Sequence, residues 1–221
     1  MWLLISPHLF YLTMNVISTA YFPPIIWMAY LHQKKNISID VKETYPKQTY
    51  RNRCQIATAT GIINLSIPVK KPNGNQTTSE DIEFEDPQKW RLQHWKSIKT
   101  AYDSSPFFLY YQDEIEVLLK KEHNSLVEMN ESIINELTSL MNLDIEIKYT
   151  DDFVPIKKGK IDLRFDIHPK KELHVEYPKY YQTFDDKLGF LPNLSILDLL
   201  FNLGPESILY LESIHLEEID K

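Results

Sequence analysis

The alternation of apolar and polar residues predicts a strand, a helix and a second strand near the start of the chain. Residues 15–19 form the first strand-like run, and Pro23-Pro24 predicts a turn because each proline fixes its own φ angle. A helix with an apolar face follows from Ile25, and residues 37–41 alternate again. This order predicts a βαβ unit, whose loop after the first strand, residues 18–24, typically faces a ligand.

The rest of the chain combines β-rich runs with longer helical patterns. Residues 55–69 hold two β-rich runs around Gly61, and a polar loop over residues 70–79, interpreted as a lid, follows them. From Pro87 to Tyr102 apolar residues recur every three or four positions, which predicts a helix. Further elements are predicted as helices over residues 107–121 and 125–141, a strand over 145–148, and helices after Ser195 and Gly204-Pro205, with Ser195 and Asp198 as a capping box. The predicted fold is of the α/β class: an N-terminal βαβ unit within a mixed sheet, plus a helical C-terminal half.

The length and composition predict one globular domain. The chain has 221 residues, of which 43% are hydrophobic, and no long polar linker divides it. Residues 1–14 are interpreted as an N-terminal extension, because the apolar run 1–13 lacks the cations of a secretory signal and is too short to span a bilayer. The alternatives are a mis-assigned start, with translation beginning at Met14 rather than Met1, and a short element packed on the core. Residues 15–221 form the predicted domain.

Charge and cysteine content exclude several classes of function. Lys and Arg number 24 and Asp and Glu number 31, and the net charge of −7 disfavours nucleic-acid binding. Cys54 is the only cysteine, so an intramolecular disulfide is impossible and a cytoplasmic location is expected. The sequence lacks a glycine-rich nucleotide loop, and its seven histidines are scattered, so neither a cofactor nor a metal site is predicted.

One cluster of charged and aromatic residues has the chemistry of a binding site. Residues 43–53 directly follow the second strand of the βαβ unit and include Lys47, Arg51 and Arg53 with amide and aromatic neighbours. Cations at the carboxyl edge of a parallel strand suit a phosphate, carboxylate or sugar-nucleotide ligand. The alternative is an exposed charged loop paired with surface acids, and composition alone does not separate the two.

Three further residues each have a functional and a structural interpretation. His94 falls on the inward side of a predicted helix, where it is either a general acid or base or a hydrogen-bonded core histidine. Asn193 either orients a substrate group or caps the final helix. Arg164 either clamps an anionic group or pairs with Asp162 or Asp166, and the ion pair is the preferred interpretation.

Five ordered blocks of sequence resemble the WbqC-like protein family over roughly residues 15–211. The blocks are STAYFPP (18–24), KQTYRNRC (47–54), LSIPVKK (65–71), WRLQHWKSIKTAYDSSPFF (90–108) and GFLPNLSILDLLFNLGPES (189–207). The Ser-Thr-Ala-Tyr form and the NLSILDLLFN ending are similar to the branch found in Bacteroidetes. The broader family pattern begins Gln-Pro-Tyr-Phe-Pro, so a role of that glutamine is not carried over to this chain.

The resemblance implies a role in the assembly of bacterial O-antigen, lipopolysaccharide or other surface polysaccharide. We expect a group transferase acting on an activated or carrier-linked sugar, with His94 managing the proton. The resemblance implies Tyr21, Arg51, Asn52, Arg53 and Tyr102 as substrate-binding residues. With Lys47 from the charged cluster and Asn193 from its position before the final helix, the expected set is Tyr21, Lys47, Arg51, Asn52, Arg53, Tyr102 and Asn193.

The alternative function is a non-catalytic binding or scaffold protein that docks onto a glycan-assembly enzyme. An open apolar patch would favour it, formed by the side chains of Trp90, Trp95, Phe107 and Tyr111. A closed basic pocket around Arg51 and His94 would instead favour the enzyme.

Overall fold

The computed structural model describes residues 15–34, 37–155, 161–171 and 173–216. The predicted N-terminal extension, residues 1–14, and the question of Met1 or Met14 as the start lie outside these residues. Strand β1 (Asn15–Ser18) and strand β2 (Ile37–Asp40) pair in parallel, and helix α1 (Ile25–Gln33) connects them. The predicted α/β class and the N-terminal βαβ unit are therefore confirmed.

The parallel sheet gathers two segments that are distant in sequence. The short strand β7 (Lys148–Tyr149) pairs in parallel with β2, giving the order β1-β2-β7. On the other side of β1, Val16 forms a parallel bridge with Asp162: Val16 N donates to the Ile161 carbonyl, and Leu163 N donates to the Val16 carbonyl. The carboxyl ends of all these segments lie at one edge, where open parallel sheets bind ligands.

Two antiparallel pairs lie in the sequence between β2 and the long helices. Strands β3 (Arg53–Thr58) and β4 (Gly61–Ser66) form a hairpin with Arg53 opposite Ser66. Strands β5 (Val69–Lys70) and β6 (Glu83–Phe84) form a smaller pair, and the loop between them contains a 3₁₀ turn at Gly74–Gln76. Among the described residues, the strands thus divide into one parallel sheet and two antiparallel pairs.

The helices follow the predicted positions closely. Their bounds are α2 (Pro87–Tyr102), α3 (Phe108–Lys120), α4 (Leu126–Leu140), α5 (Asp185–Leu188), α6 (Ile196–Leu203) and α7 (Ser207–Ser213). Proline suits the first turn of α2 because its missing N–H would have no partner there, and the Ser125 side chain caps α4 by accepting from Glu128 N.

Two local predictions differ from the structure. The predicted strand over residues 145–148 is replaced by the pair Lys148–Tyr149. The predicted capping box at Ser195 is half formed, because Ser195 accepts from Leu197 N while the Asp198 side chain accepts from Tyr180 and Gln182 instead. The Asp198 carboxylate is thus used in tertiary contacts rather than in the cap.

Helix α1 lies at the centre of the core. All residues from Ile25 to Leu31 are buried, as expected for a helix that is apolar all round, and α1 packs on α6 and α7. Gly204, which follows α6, has a φ of +53° and lies against the Phe107 ring. A Cβ at this position would come within 2.5 Å of that ring, so only glycine allows the close approach of the C-terminal helices to the segment before α3.

Candidate functional site

A network of buried charges occupies the carboxyl edge of the parallel sheet. Asp40 ends β2, and its Oδ2 accepts from Arg164 Nη1 at 2.5 Å. The same guanidinium donates to both carboxylate oxygens of Asp162 at 2.9 and 2.6 Å, and the Thr150 hydroxyl donates to Asp40 at 2.9 Å. The predicted ion pair between Arg164 and Asp162 is confirmed. The network ties β2 to the segments beside β1 and after β7.

Arg51 belongs to the same buried edge and is bound by Glu43. Its Nε and Nη2 donate to the two Glu43 oxygens at 2.7 and 2.6 Å, and Nη2 also donates to the Arg164 carbonyl at 3.1 Å. Only 1% of Arg51 and 2% of Glu43 is exposed. Burial raises the pKa of Glu43, and the Arg51 charge opposes that rise. This geometry favours a structural role for Arg51, and substrate binding by this side chain stays a prediction.

An open pocket lies beside this buried edge, and Asn52, the residue after Arg51, is part of its wall. It has a volume of about 430 Å³. Its lining residues are Tyr45, Lys47, Gln48, Asn52, Val69, Lys71, Gly74 and Asn75. None of these described lining residues is acidic. The wall therefore contains two ammonium groups, those of Lys47 and Lys71, and no carboxylate. Such a pocket attracts anions.

The local structure fixes the position of Lys71 in this pocket. Its Nζ donates to the Tyr45 carbonyl at 2.9 Å and lies 5.1 Å from the centre of the Tyr45 ring, within cation–π distance. Burial lowers the pKa of Lys71, and the nearby Lys47 charge lowers it further. An anion placed between the two ammonium groups would relieve that repulsion.

Asn52 and Gln48 supply amides to the same pocket. Asn52 Nδ2 donates to the Ile67 carbonyl at 2.8 Å, which orients the amide, and its buried Oδ1 accepts no hydrogen bond from any described residue. Gln48 has a φ of +61°, a left-handed conformation at the bend between Lys47 and Asn52. The predicted residues Lys47 and Asn52 are therefore brought together in one pocket wall.

His94 forms a buried pair with Tyr21 away from that wall. The Tyr21 hydroxyl and His94 Nδ1 are 2.8 Å apart, and the imidazole also packs at 5.1 Å from the Trp90 ring. Burial lowers the pKa of His94 to about 4, while a hydrogen bond from the ring to the Ser66 backbone acts in the opposite direction. The ring is therefore neutral at pH 7. With that bond made, Nδ1 accepts from the Tyr21 hydroxyl. The pair fits both a core polar contact and a proton relay.

Tyr102, Asn193 and Arg53 lie apart from the pocket wall. Tyr102 is fully buried, and its ring centre is 5.1 Å from that of Phe201. Asn193 was expected either to orient a substrate group or to cap the final helix. It caps helix α1 instead, because Asn193 Oδ1 accepts from Ile26 N at 3.0 Å. Arg53 is half-buried at the start of β3, and its Nε has no acceptor among the described residues. Substrate binding by these three residues stays a prediction.

Sequence reasoning missed Lys71 as a site residue. The lysine ends the block LSIPVKK and lies at the start of the polar loop, residues 70–79, that is interpreted as a lid. Lys70 and Lys71 have the same chemistry in the sequence, yet Lys70 is exposed and does not line the pocket. The available signal was the pair Lys70-Lys71 close to the turn Asn73-Gly74. Only the folded loop shows that Lys71, and not Lys70, lines the pocket.

The side chains named for a docking patch do not form an open surface. Trp90 is buried, while Trp95, Phe107 and Tyr111 are half-buried. The ring of Trp95 stacks on Phe108 with centres 6.3 Å apart. This packing does not favour the scaffold alternative.

In the part of the chain that the structure describes, no helix combines the length and the apolar character needed to cross a membrane. Within the same residues, no group of three or more His, Cys, Asp or Glu side chains is placed to hold a metal ion.

The residues that line the pocket lie within the range matched by a protein-family model. The model of the WbqC-like protein family matches residues 19–175, a range that contains Lys47, Asn52 and Lys71 but not Asn193. A relative, the uncharacterized protein Rv1507c of Mycobacterium tuberculosis, is 25% identical over 194 residues, which cover 76% of this chain and 83% of the relative. No solved structure matches the chain. The Bacteroidetes branch stays a prediction.

Proposed function

This chain belongs to the WbqC-like protein family, and on that basis we propose that it is a group transferase of bacterial surface-polysaccharide assembly. Its substrate is an activated or carrier-linked sugar, and the anionic part of that substrate binds in the pocket. The observation that supports the proposal is the meeting of Lys47 and Lys71 in a wall without an acidic residue among those described.

The pocket chemistry matches a sugar that carries a negative charge. Ammonium groups make charge-assisted hydrogen bonds to phosphate or carboxylate oxygens, each worth about 1.5–3 kcal/mol. The amides of Gln48 and Asn52 offer donors and acceptors for sugar hydroxyls, and the Tyr45 ring offers an apolar face. A small polar ligand with one charged end therefore uses every kind of group in this wall.

In this function His94 acts as the general acid or base. The neutral His94 ring accepts a hydrogen bond from the Tyr21 hydroxyl, so a proton can move between the two side chains. This role requires a substrate group to reach the pair during turnover. A His94→Gln variant separates the steps: we expect retained ligand binding and lost transfer.

The test begins with ligand binding by the purified protein. Thermal-shift measurements with nucleotide sugars, coenzyme A thioesters, aminoacyl donors and plain nucleotides identify a stabilising donor class, because a ligand of the native state raises its stability. Calorimetry then compares the wild type with Lys71→Ala and with Lys70→Ala, its exposed neighbour, as the matched control.

We expect a nucleotide or carrier-linked sugar to bind the wild type and Lys70→Ala equally, and Lys71→Ala at least about tenfold more weakly. Transfer from that donor is then followed by mass spectrometry of the product. The proposal is overturned when no anionic sugar donor binds, or when Lys70→Ala and Lys71→Ala lose the same affinity.

A further inference from the structure

We propose that the exposed face of helix α2 binds the surface of an acidic lipid bilayer. The lysines of this face contact the lipid phosphates, and Leu92 enters the boundary between headgroups and acyl chains. This partner lies beyond the proposed function, because binding it requires no group of the pocket.

Charge is divided unevenly among the three long helices. Helix α2 contains Lys89, Arg91, Lys96 and Lys99 and no Asp or Glu between its ends. Helix α3 contains three carboxylates and one lysine, and the charged residues of α4 are all glutamates. A chain whose net charge is −7 therefore has one long helix whose charged residues are all cations.

The helical period places three of these cations on one side of α2 with a leucine among them. Lys89, Leu92, Lys96 and Lys99 follow one another at steps of three or four residues, so their side chains share one face. All four are exposed, and 56% of Leu92 is accessible to solvent. The opposite side of α2 is buried in the core, as at Ile98. The four exposed residues are the basic face of α2.

The lysines of the basic face have no carboxylate partner within the described part of the chain. None of them forms an ion pair or donates a side-chain hydrogen bond to a described residue, whereas Lys120 on α3 binds Glu116 at 2.8 Å. Asp86 and Asp103 flank α2 and form no ion pair with it among the described residues. The charges of the basic face are therefore available to an anionic partner.

The leucine among the lysines favours a lipid surface over a nucleic acid. At a bilayer surface, lysines interact with the anionic headgroups while an apolar side chain enters the acyl boundary, so both kinds of group are used. The backbone of a nucleic acid would attract the lysines and leave Leu92 in water. The composition of the basic face is thus complementary to an acidic bilayer.

The basic face belongs to the helix that follows the pocket strands. Val69, which lines the pocket, pairs with Phe84 of β6. The Phe84 ring lies 5.8 Å from the ring of Trp90, in the first turn of α2. The pocket is therefore one strand pair away from the helix that would contact the lipid.

Co-sedimentation of the full chain with vesicles tests the proposal. The vesicles are phosphatidylcholine alone or phosphatidylcholine with about 30% phosphatidylglycerol, at physiological salt. We expect the wild type to bind the acidic vesicles and not the neutral ones. The variant Lys89→Gln/Lys96→Gln/Lys99→Gln should bind at least about tenfold more weakly, because each lysine near an acidic surface strengthens binding about fivefold. Leu92→Ser should weaken binding about threefold through the lost apolar contact.

The matched control removes the same net charge from exposed lysines elsewhere in the chain. It is the variant Lys70→Gln/Lys170→Gln/Lys179→Gln, and it should keep the wild-type affinity for acidic vesicles to within about twofold. Circular dichroism checks that every variant keeps its helix content, which we expect because glutamine is a good helix former on an exposed face.

Four outcomes would overturn the proposal. They are a wild type that does not bind acidic vesicles, a control that loses as much affinity as the α2 variant, full affinity in Leu92→Ser, and lysine-dependent binding to a labelled DNA duplex without binding to vesicles. The assay contains no ligand of the pocket, so none of these results would change the proposed function.

Discussion

Two groups of cations from nearly the same stretch of sequence have opposite surroundings. Arg51 is buried at the carboxyl edge of the parallel sheet, and two of its N–H groups donate to the Glu43 carboxylate. Lys47, four residues earlier, is exposed in the wall of a pocket where no described lining residue is acidic. The comparison teaches that burial, rather than residue type, decides which of these charges is paired with a carboxylate inside the fold.

The physical reason is the cost of removing a charge from water. A buried guanidinium needs a carboxylate with good geometry, because an unpaired charge in the interior costs several kcal/mol. A solvated ammonium is hydrated, so it needs no carboxylate partner within the fold and stays accessible to an anionic ligand. The division predicts which substitutions unfold the protein and which leave its stability unchanged.

The largest expected effect is on the buried side. Arg51→Met leaves Glu43 buried without a partner, and we expect the free energy of unfolding to fall by about 3–5 kcal/mol at pH 7. Urea denaturation followed by circular dichroism measures it. The double variant Arg51→Met/Glu43→Leu should recover much of the loss, and a single-variant loss below about 1 kcal/mol would contradict the assignment of a buried ion pair.

A smaller effect concerns the buried histidine that stays neutral. Since the pKa of His94 is about 4 in the native state and 6.5 ordinarily, the unfolded chain takes up a proton between these values that the native state does not. Stability from this group is therefore full above pH 6.5 and decreases as the pH falls towards 4, by at most about 3 kcal/mol.

Denaturation of the wild type and His94→Gln between pH 7 and pH 4 tests this dependence. The difference between the two curves isolates the histidine from the carboxylates, which titrate in both proteins. Parallel curves would show that His94 is not buried in its neutral form.

Next in size is the hydrogen bond between Tyr21 and His94. Tyr21→Phe keeps the ring against Phe22, 4.8 Å away between centres, but removes the hydroxyl donor. We expect a loss of about 1–2 kcal/mol because the buried His94 Nδ1 then lacks a partner. Thermal unfolding at pH 7 measures it, and an unchanged melting temperature would mean that the pair contributes nothing.

The smallest expected effect lies on the solvated side of the comparison. Lys47→Ala removes an exposed ammonium that forms no ion pair with any described residue, so stability should change by less than about 0.5 kcal/mol. The same denaturation assay as for Arg51→Met checks this value. A loss comparable to that of Arg51→Met would refute the division between the two groups of cations.

The regular elements of the fold were predictable because their signals are local. The helix predicted over Pro87–Tyr102 has those bounds in the structure, and the helix over residues 125–141 differs by one residue at each end. The strand over residues 145–148 was displaced, because the partner β2, not local preference, selects Lys148–Tyr149 for pairing.

The candidate site was predictable only in part. The segment 43–53 was identified from its density of donors, and it does contribute Tyr45, Lys47 and Asn52 to the pocket. Lys71, far along the chain, was missed because nothing in the local sequence distinguishes it from Lys70. Which of the predicted cations faces solvent depends on packing that no short stretch of residues encodes.

By itself the sequence determined the order of strand, helix and strand, the bounds of the long helices and the resemblance to the family. These depend on periodicity, proline and caps, which act within a few residues. The tertiary structure decided that Arg51 is enclosed, that Lys71 joins Lys47, and that Asn193 caps α1 from 167 residues away. Desolvation and long-range hydrogen bonds depend on neighbours in space, so only the folded chain assigns these roles.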